Sequence, residues 1–239
     1  MQMMQAPRMR LRGRGGHSAP ATISIADGTL EALKWLGLVL MVLDHVNKYL
    51  LGGTWPVLYM LGRLVMPIFG FVLAYNLARP RALESGVHAR VMKRLFIFGA
   101  LATPSFVGLV GWWPLNILFM LLLATALIWL LEQDRWLARL AAAVLFLFAG
   151  AFVEFWWFGV AYCVAAWTFF RHPSVGRALL LCLVTLSLVV VNRNLGALAA
   201  LPLLWAASHV EISLRRSRWI YYAFYPGHLA LIYLVQQLQ

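Results

Sequence analysis

Long apolar stretches, separated by short loops that carry Arg, Lys, Gly and Pro, run along most of this chain. The stretches are continuous for ~15–20 residues, whereas the strands of a membrane barrel alternate over ~10 residues. The pattern therefore predicts an all-α, polytopic transmembrane helical bundle of about eight or nine spans. The predicted segments are 31–51, 57–77, 93–111, 114–131, 137–150, 152–170, 177–191, 195–209 and 219–237.

The composition agrees with a membrane protein. Of the 239 residues, 63% are hydrophobic and 12% are charged, whereas soluble domains average ~45–50% apolar and ~25% charged residues. We expect a single membrane domain over 30–239, embedded in the lipid bilayer. Residues 1–29 carry Arg residues but no apolar core, so they predict a flexible, basic, cytosolic tail without a cleavable signal peptide. Asp27, with Thr29 behind it, is the predicted N-cap of the first helix.

The net charge of +12 invites a nucleic-acid interpretation, but the placement of the charges argues against it. Sixteen of the twenty Lys and Arg residues lie in the N-terminal tail and in the predicted loops on its side of the membrane, and only Lys48 and Arg193 lie in the opposite loops. This distribution follows the positive-inside rule, so the N-terminus is predicted to be cytosolic and, with nine spans, the C-terminus external. No nucleic-acid partner is expected.

The motifs of several enzyme and transporter classes are missing from the sequence. Cys163 and Cys182 lie in apolar segments, far from CxxC spacing, and are interpreted as small buried hydrophobic residues, so no metal site is expected. There is no Walker loop, GxGxxG, GxSxG or HExxH motif. An internal repeat that would favour a transporter is also missing. An enzyme with this sequence must use a diffusible activated donor or water.

The first segment, EALKWLGLVLMVLDHVNKYLL (31–51), carries ionisable residues, which are costly in a bilayer and therefore mark functional sites. Lys34 and His45 are separated by ~1100° at ~100° per residue, only ~20° from three full turns, so they share one face of the helix. At 1.5 Å rise per residue they lie ~16 Å apart. His45 is either a general base or a buried neutral imidazole bonded to a neighbouring helix. Lys34 is either a phosphate contact at the cytosolic mouth of a tunnel or a snorkelling residue paired with Glu31.

Asp44 and Arg63 are further candidates for catalytic residues. Asp44 stands ~100° around the helix from His45, so it cannot easily hold that ring. It can pair with Arg63 or with Lys48. Arg63 precedes Pro67 by four residues, and the proline is expected to kink the helix and free a backbone carbonyl near the guanidinium. Arg63 therefore has either a structural role, as an ion pair with Asp44, or a role as an anion or substrate contact.

A Pro-Gly break precedes His228 in the last segment, YYAFYPGHLALIYL. Pro226 and Gly227 predict a broken or kinked helix, with His228 either lining a cavity or serving a capping or packing role. Glu154, at the start of the sixth segment, is interpreted as interfacial and inert. Three further histidines, in basic loops or at a helix end, are interpreted as ordinary surface residues: His88, His172 and His209.

Three segments in the same order carry a family resemblance. LKWLGLVLMVLDHVNKYL, GRLVMPIFGFVLAYNL and FYPGHLALIYL resemble the TraX family, membrane proteins of conjugative plasmids that are linked to N-terminal acetylation of pilin. The first segment is also similar to the Lys/Arg-x10-His pattern of the membrane-bound acyltransferase-3 superfamily, which moves acyl groups from acyl-CoA. The resemblance covers the second helix and the two ends of the chain, whereas the middle, 95–210, adds only hydropathy.

The resemblance implies an acyl-CoA-dependent acetyltransferase of the bacterial inner membrane that moves an acetyl group from acetyl-CoA to the N-terminal amine of a pilin precursor. It implies that His45 is the catalytic base and that Lys34 contacts the CoA arm. Arg63 would stabilise the phosphates or the oxyanion, and His228 with Tyr225 would line the far end. The alternatives are an acyltransferase that acts on a glycan or a lipid, and a non-enzymatic pilin-maturation or pilus-assembly factor.

Overall fold

The described part of the chain is a bundle of helices. A computed structural model describes residues 24–217 and 219–239, so most of the predicted tail at 1–29 lies outside the described residues. The helices are α1 (Asp27–Tyr49), α2 (Pro56–Gly62), α3 (Val65–Ala78), α4 (Val87–Val110), α5 (Ile117–Leu131), α6 (Trp136–Ala149), α7 (Trp156–Arg171), α8 (Val175–Ser187), α9 (Val189–Asn192), α10 (Ala200–Ala207) and α11 (Ile220–Gln237). The all-α prediction is confirmed.

Among the described residues, three helical stretches are long and apolar enough to cross a membrane. They are Pro56–Ala78, Val87–Val110 and Val175–Asn192. Each of the other predicted segments also coincides with a helix. Of these helices, α1 carries several charges, α11 has 18 residues but includes His228 and two glutamines, and the others are shorter. The protein is therefore a helical membrane protein, and the number of eight or nine spans stays a prediction.

The stretch Pro56–Ala78 is interrupted at Arg63 and Leu64, between α2 and α3. Pro67 explains the interruption, because it has no backbone N–H to donate to the carbonyl of Arg63, four residues earlier. The predicted break is thus present, and it lies one helical turn before the proline. It sets the Arg63 side chain at the junction of two helices.

The helix α1 contacts most of the helices that carry the candidate site. It packs against α2, α3 and α11, and α11 packs against α4. Close approach of α4 and α11 depends on Gly108, where an added Cβ would lie 2.4 Å from a ring carbon of Tyr233. Small residues are the usual means by which membrane helices approach this closely.

The start of α1 differs from the prediction. The N-cap is Ala26, without a side-chain capping bond, and Asp27 is already the first helical residue. The carboxylate of Asp27 is not free for capping because it pairs with the guanidinium of Arg79. Thr29 instead donates its hydroxyl to the carbonyl of Val210 at 2.6 Å and fastens the segment after α10 to α1.

The two cysteines have different environments. Cys163 is buried on α7, as predicted, and Cys182 is exposed on α8. The prediction that both are buried is therefore wrong for Cys182. Both thiols are free, and within 24–217 and 219–239 no group of three His, Cys, Asp or Glu side chains is arranged to hold a metal ion.

Candidate functional site

The two histidines of the candidate site form a pair that joins α1 to α11. The Nδ1 atom of His45 lies 2.8 Å from the Nε2 atom of His228. The rings are nearly parallel, with centroids 5.0 Å apart. On its other side, Nδ1 of His228 lies 3.0 Å from the carbonyl oxygen of Phe224. His45 thus has the bond to a neighbouring helix that one interpretation required, and this bond uses only one of its two ring nitrogens.

Asp44 and Arg63 form an ion pair beside the histidines. The Nη2 atom of Arg63 donates to Oδ2 of Asp44 at 2.8 Å. The guanidinium lies 4.3 Å from the ring of Tyr59 and donates through Nε to the carbonyl of the same residue. Of the two partners considered for Asp44, the structure thus selects Arg63 rather than Lys48.

Gly62 permits this ion pair. The last residue of α2, it faces Asp44 so closely that an added Cβ would lie 2.3 Å from the carboxyl carbon. The second carboxylate oxygen, Oδ1, is buried without a hydrogen-bond partner among the described residues. Any side chain in place of Gly62 would push the carboxylate of Asp44 away from α2.

A small cavity of about 90 Å³ lies next to these residues. Its wall is unusually rich in ionisable and polar side chains for the interior of a membrane bundle. They include Asp44, His45, Arg63, Glu154 and Tyr225. The carboxylate of the ion pair, the histidine and the guanidinium therefore face one chamber.

Glu154 was not expected in this chamber. The loop before α7 pairs with the loop before α5, since the backbone N–H of Leu115 donates to the carbonyl of Phe152 and that of Glu154 donates to the carbonyl of Leu115. This short ladder holds Glu154 in the cavity wall. Glu154 therefore belongs to the candidate site, and no periodicity within its own segment could have predicted this.

Lys34 occupies the opposite end of α1. Its Nζ atom lies 2.5 Å from Oε2 of Glu31 and 4.0 Å from the centroid of the Tyr221 ring. Glu31 is 1% exposed and also accepts from the hydroxyl of Tyr221 and the backbone N–H of Ser217, both at 2.6 Å. The predicted pairing with Glu31 is present, and it positions the ammonium group at a cavity.

This second cavity is large, about 590 Å³. Four cations from three parts of the chain line it: Lys34, Arg90, Arg94 and Arg216. We call the part of the bundle that carries them the basic end. The guanidinium of Arg94 lies 4.5 Å from the ring of Trp219 and 5.8 Å from that of Tyr222. Contact with these two aromatic rings holds the orientation of the guanidinium.

The two cavities adjoin. Four residues line both of them: Met41, Val65, Ile117 and Tyr225. Met41 stands on α1 between Lys34 and His45, so the predicted stripe of that helix runs from one cavity to the other. Tyr225, which the family resemblance put at the far end, stands at the junction of the cavities and is 4% exposed.

Comparison with known proteins identifies the family. The model of the TraX family, described as TraX protein, matches residues 29–236 of the chain. The chain belongs to the TraX family. The resemblance predicted from three segments is thus confirmed, and the TraX match also includes the middle of the chain, where the sequence offered only hydropathy.

Two curated relatives of this TraX family member carry the name Protein TraX. They come from Escherichia coli and from Escherichia coli strain K12, and they are 33% and 32% identical over 124 residues. The aligned part is 50% of this chain and 46% of each relative, so the chain spans about half the length of the curated relatives it matches. No solved structure matches the chain.

A buried pair of polar side chains in this TraX chain, His88 and Glu132, is separate from the residues that line the two cavities. His88, on the first turn of α4, is 1% exposed and its Nε2 atom lies 3.4 Å from Oε2 of Glu132, just after α5. Arg171 approaches the other carboxylate oxygen at 4.0 Å. Burial raises the pKa of Glu132, although the charge of Arg171 opposes the shift. The interpretation of His88 as a surface residue is therefore wrong, because α4 begins one to two turns before the predicted segment.

Sequence reasoning missed the three arginines of the basic end as site residues. Arg90 and Arg94 were assigned to a charged loop, and Arg216 to another. The helical register could have revealed the first two, because residues four apart lie on the same face of a helix. Arg216 reaches the cavity through tertiary packing of the segment that Thr29 fastens to α1, and no local signal predicts this.

Proposed function

We propose that this protein is a membrane acyltransferase that moves the acetyl group of acetyl-CoA to the N-terminal amine of a conjugative pilin precursor. The observation that carries the proposal is the pair of adjoining cavities, with four cations in the wall of one and His45 in the wall of the other. An acyl-CoA has the same polarity, because its phosphates and its thioester lie at opposite ends of a long, narrow molecule. The membership in the TraX family supports this function.

The large cavity is the proposed donor site. Its volume of about 590 Å³ falls within the ~300–1,000 Å³ typical of small-molecule sites. Arg94 and Arg216 are proposed to contact the phosphates, because guanidinium groups match phosphate oxygens in pairs. Lys34 would contribute a further positive charge where the pantetheine arm enters. From there the arm has to cover the ~16 Å of α1 between Lys34 and His45.

The chemistry assigned to the small cavity is acyl transfer to nitrogen. The acceptor nitrogen attacks the thioester carbon, and His45 takes the proton from that nitrogen as the N–C bond forms. The guanidinium of Arg63 stabilises the negative charge that develops on the carbonyl oxygen. Collapse of the tetrahedral intermediate breaks the C–S bond, and the proton passes from His45 to the leaving sulfur. Asp44 bonds to Arg63, so it orients the guanidinium of Arg63 and not the ring of His45.

Two carboxylates, Glu154 and Asp44, and two cations, Arg63 and Lys48, line the small cavity. Asp44 is paired with Arg63, so Glu154 is the carboxylate that we propose to contact the N-terminal amine of the acceptor. The reason to prefer a pilin N-terminus to a glycan or a lipid headgroup is the membership in the TraX family rather than the net charge of the cavity.

We also propose that the protein lies in the bacterial inner membrane with its basic end towards the cytosol. Acetyl-CoA is a cytosolic metabolite, and the positive-inside rule favours the same orientation. A pilin N-terminus freed by leader cleavage emerges on the other side, where the end of α1 that carries His45 would then lie. The two substrates would thus reach the thioester carbon from opposite faces of the membrane.

The function is tested with the full chain in lipid nanodiscs. Acetyl-CoA is added with one of three acceptors: a synthetic peptide with the N-terminal sequence of the mature pilin, the same peptide with a blocked N-terminus, or a lipid extract. A mass increase of one acetyl group on the free peptide alone supports the proposal. Acetylation of the lipid instead favours the second acyltransferase function. Binding of the peptide without any transfer or acetyl-CoA binding favours an assembly factor.

The donor site has its own test. The double variant Arg94→Gln/Arg216→Gln removes two guanidinium groups from the large cavity, and the control Arg135→Gln removes an exposed one elsewhere. Loss of a hydrogen bond to a charged group costs ~1.5–3 kcal/mol, so the double variant should bind CoA at least tenfold more weakly by calorimetry. Equal CoA affinity in the double variant and the control would rule out this donor site.

A further inference from the structure

The hydrogen bonds of the histidine pair determine which nitrogen of His45 is basic. A neutral imidazole has one N–H group and one lone pair, whereas a backbone carbonyl only accepts. Nδ1 of His228 therefore donates to the carbonyl of Phe224 at 3.0 Å. Nε2 of a neutral His228 is then an acceptor, and Nδ1 of His45 must donate to it across 2.8 Å. This leaves the lone pair of a neutral His45 on Nε2.

We propose that His228 is a positioning residue, which fixes the tautomer and orientation of His45 so that Nε2 is the base that meets the acceptor amine. The proposal rests on the proposed acyl transfer and adds a role for α11 in it. A base oriented by a third group is common in nucleophilic catalysis, where that group is often a carboxylate. Here the orienting group is the carbonyl of Phe224, and it acts through the ring of His228.

Among the described residues no carboxylate takes this position beside His45, although Asp44 and Glu154 line the same cavity. Asp44, next to His45 in sequence, is committed to Arg63 through Oδ2. In the described part of the chain neither ring of the pair forms an ion pair with a carboxylate. When Nε2 of His45 takes the proton, its Nδ1–H keeps the bond to His228, so the ring does not have to turn during the reaction.

Three substitutions of His228 separate this role from simple packing. A glutamine amide can place an oxygen where Nε2 of the histidine lies, and so can accept from His45. An asparagine amide reaches only the position of Nδ1, and alanine provides neither group. We expect kcat to fall about 10- to 100-fold in His228→Ala and His228→Asn, the size seen when the partner that orients a ligating histidine is removed. His228→Gln should retain most of the wild-type kcat.

The substitution His172→Gln, at an exposed histidine, is the matched control. The KM for acetyl-CoA should stay constant in all four variants, because the donor site lies at the basic end. Equal losses of kcat in the glutamine, asparagine and alanine variants would overturn the proposal, and so would unchanged kcat in all three. A general packing defect would instead lower thermal stability and change KM as well.

A spectroscopic readout is independent of turnover. The full chain with ¹⁵N-labelled histidine in nanodiscs is studied by NMR, and the His45 signal is assigned by its loss in His45→Gln. The nitrogen shifts distinguish an Nδ1–H ring from an Nε2–H ring. We expect Nδ1–H for His45 in the wild type and a mixture in His228→Asn, whereas Nε2–H in the wild type would overturn the proposal. If the wild type transfers no acetyl group, the proposed function fails, and the same spectrum still decides the tautomer.

Discussion

The substitution Gly62→Ala should separate Asp44 from α2 and disturb the candidate site without removing any polar group. The added Cβ would lie 2.3 Å from the carboxyl carbon of Asp44 and 2.5 Å from its Oδ1 atom, and ordinary contact begins at 3.4 Å. Either α1 and α2 move apart by about 1 Å or the carboxylate leaves Arg63. Overpacking of this kind costs ~1–3 kcal/mol, and a displacement of about 1 Å can lower a catalytic rate ~100-fold.

The matched control for this prediction is Gly176→Ala. Gly176 lies in the first turn of α8 and has open space around it, so its alanine gains helix propensity without any contact. Both variants are compared with the wild type by thermal unfolding in detergent and by the acetylation assay. We expect Gly62→Ala alone to melt several degrees lower and to lose most of the transfer rate. If Gly62→Ala matched the control in both measurements, the close contact between Asp44 and α2 would be irrelevant to the site.

Two further predictions concern buried charges. Glu31→Gln should lower the unfolding temperature far more than Asp134→Asn. Removing Glu31 breaks a buried ion pair, which costs ~3–5 kcal/mol, whereas removing Asp134 breaks an exposed pair worth ~0–1 kcal/mol. Equal shifts of the unfolding temperature in the two variants would contradict this prediction. Glu132→Gln should stabilise the protein more at about pH 8 than at about pH 5. Because the pKa of Glu132 is raised on folding, its contribution to stability is fully present at low pH and is lost as the pH rises through that pKa. His88 and Arg171 face the carboxylate of Glu132. The unfolding temperatures with and without Glu132→Gln should therefore be compared in a His88→Gln background. A gain in unfolding temperature that does not depend on pH would contradict the prediction.

Features confined to one helix were predictable from the sequence. The apolar runs locate the helices because a membrane segment has to bury an uninterrupted length of backbone. The break near Arg63 followed from Pro67, since a missing N–H has a fixed position in the helical ladder. The shared stripe of Lys34 and His45 followed from the helical period, and the two residues line adjoining cavities.

Features that depend on the packing of different helices were not predictable. His45 and His228 are 183 residues apart in sequence, and no pattern within either segment specifies their contact. Glu154 reaches the small cavity only through the pairing of two loops. The capping prediction for Asp27 was wrong for the same reason, because the guanidinium of Arg79 competes for the carboxylate.

The intact mass of the pilin tests most directly the proposal that His45 performs acyl transfer in the small cavity, next to the proposed donor site. The pilin precursor is expressed in cells with the wild type, with His45→Ala or with the surface control His172→Ala, and its mature form is weighed. We predict one added acetyl group with the wild type and the control, and an unmodified pilin with His45→Ala at equal expression. An acetylated pilin in the presence of His45→Ala would contradict the account.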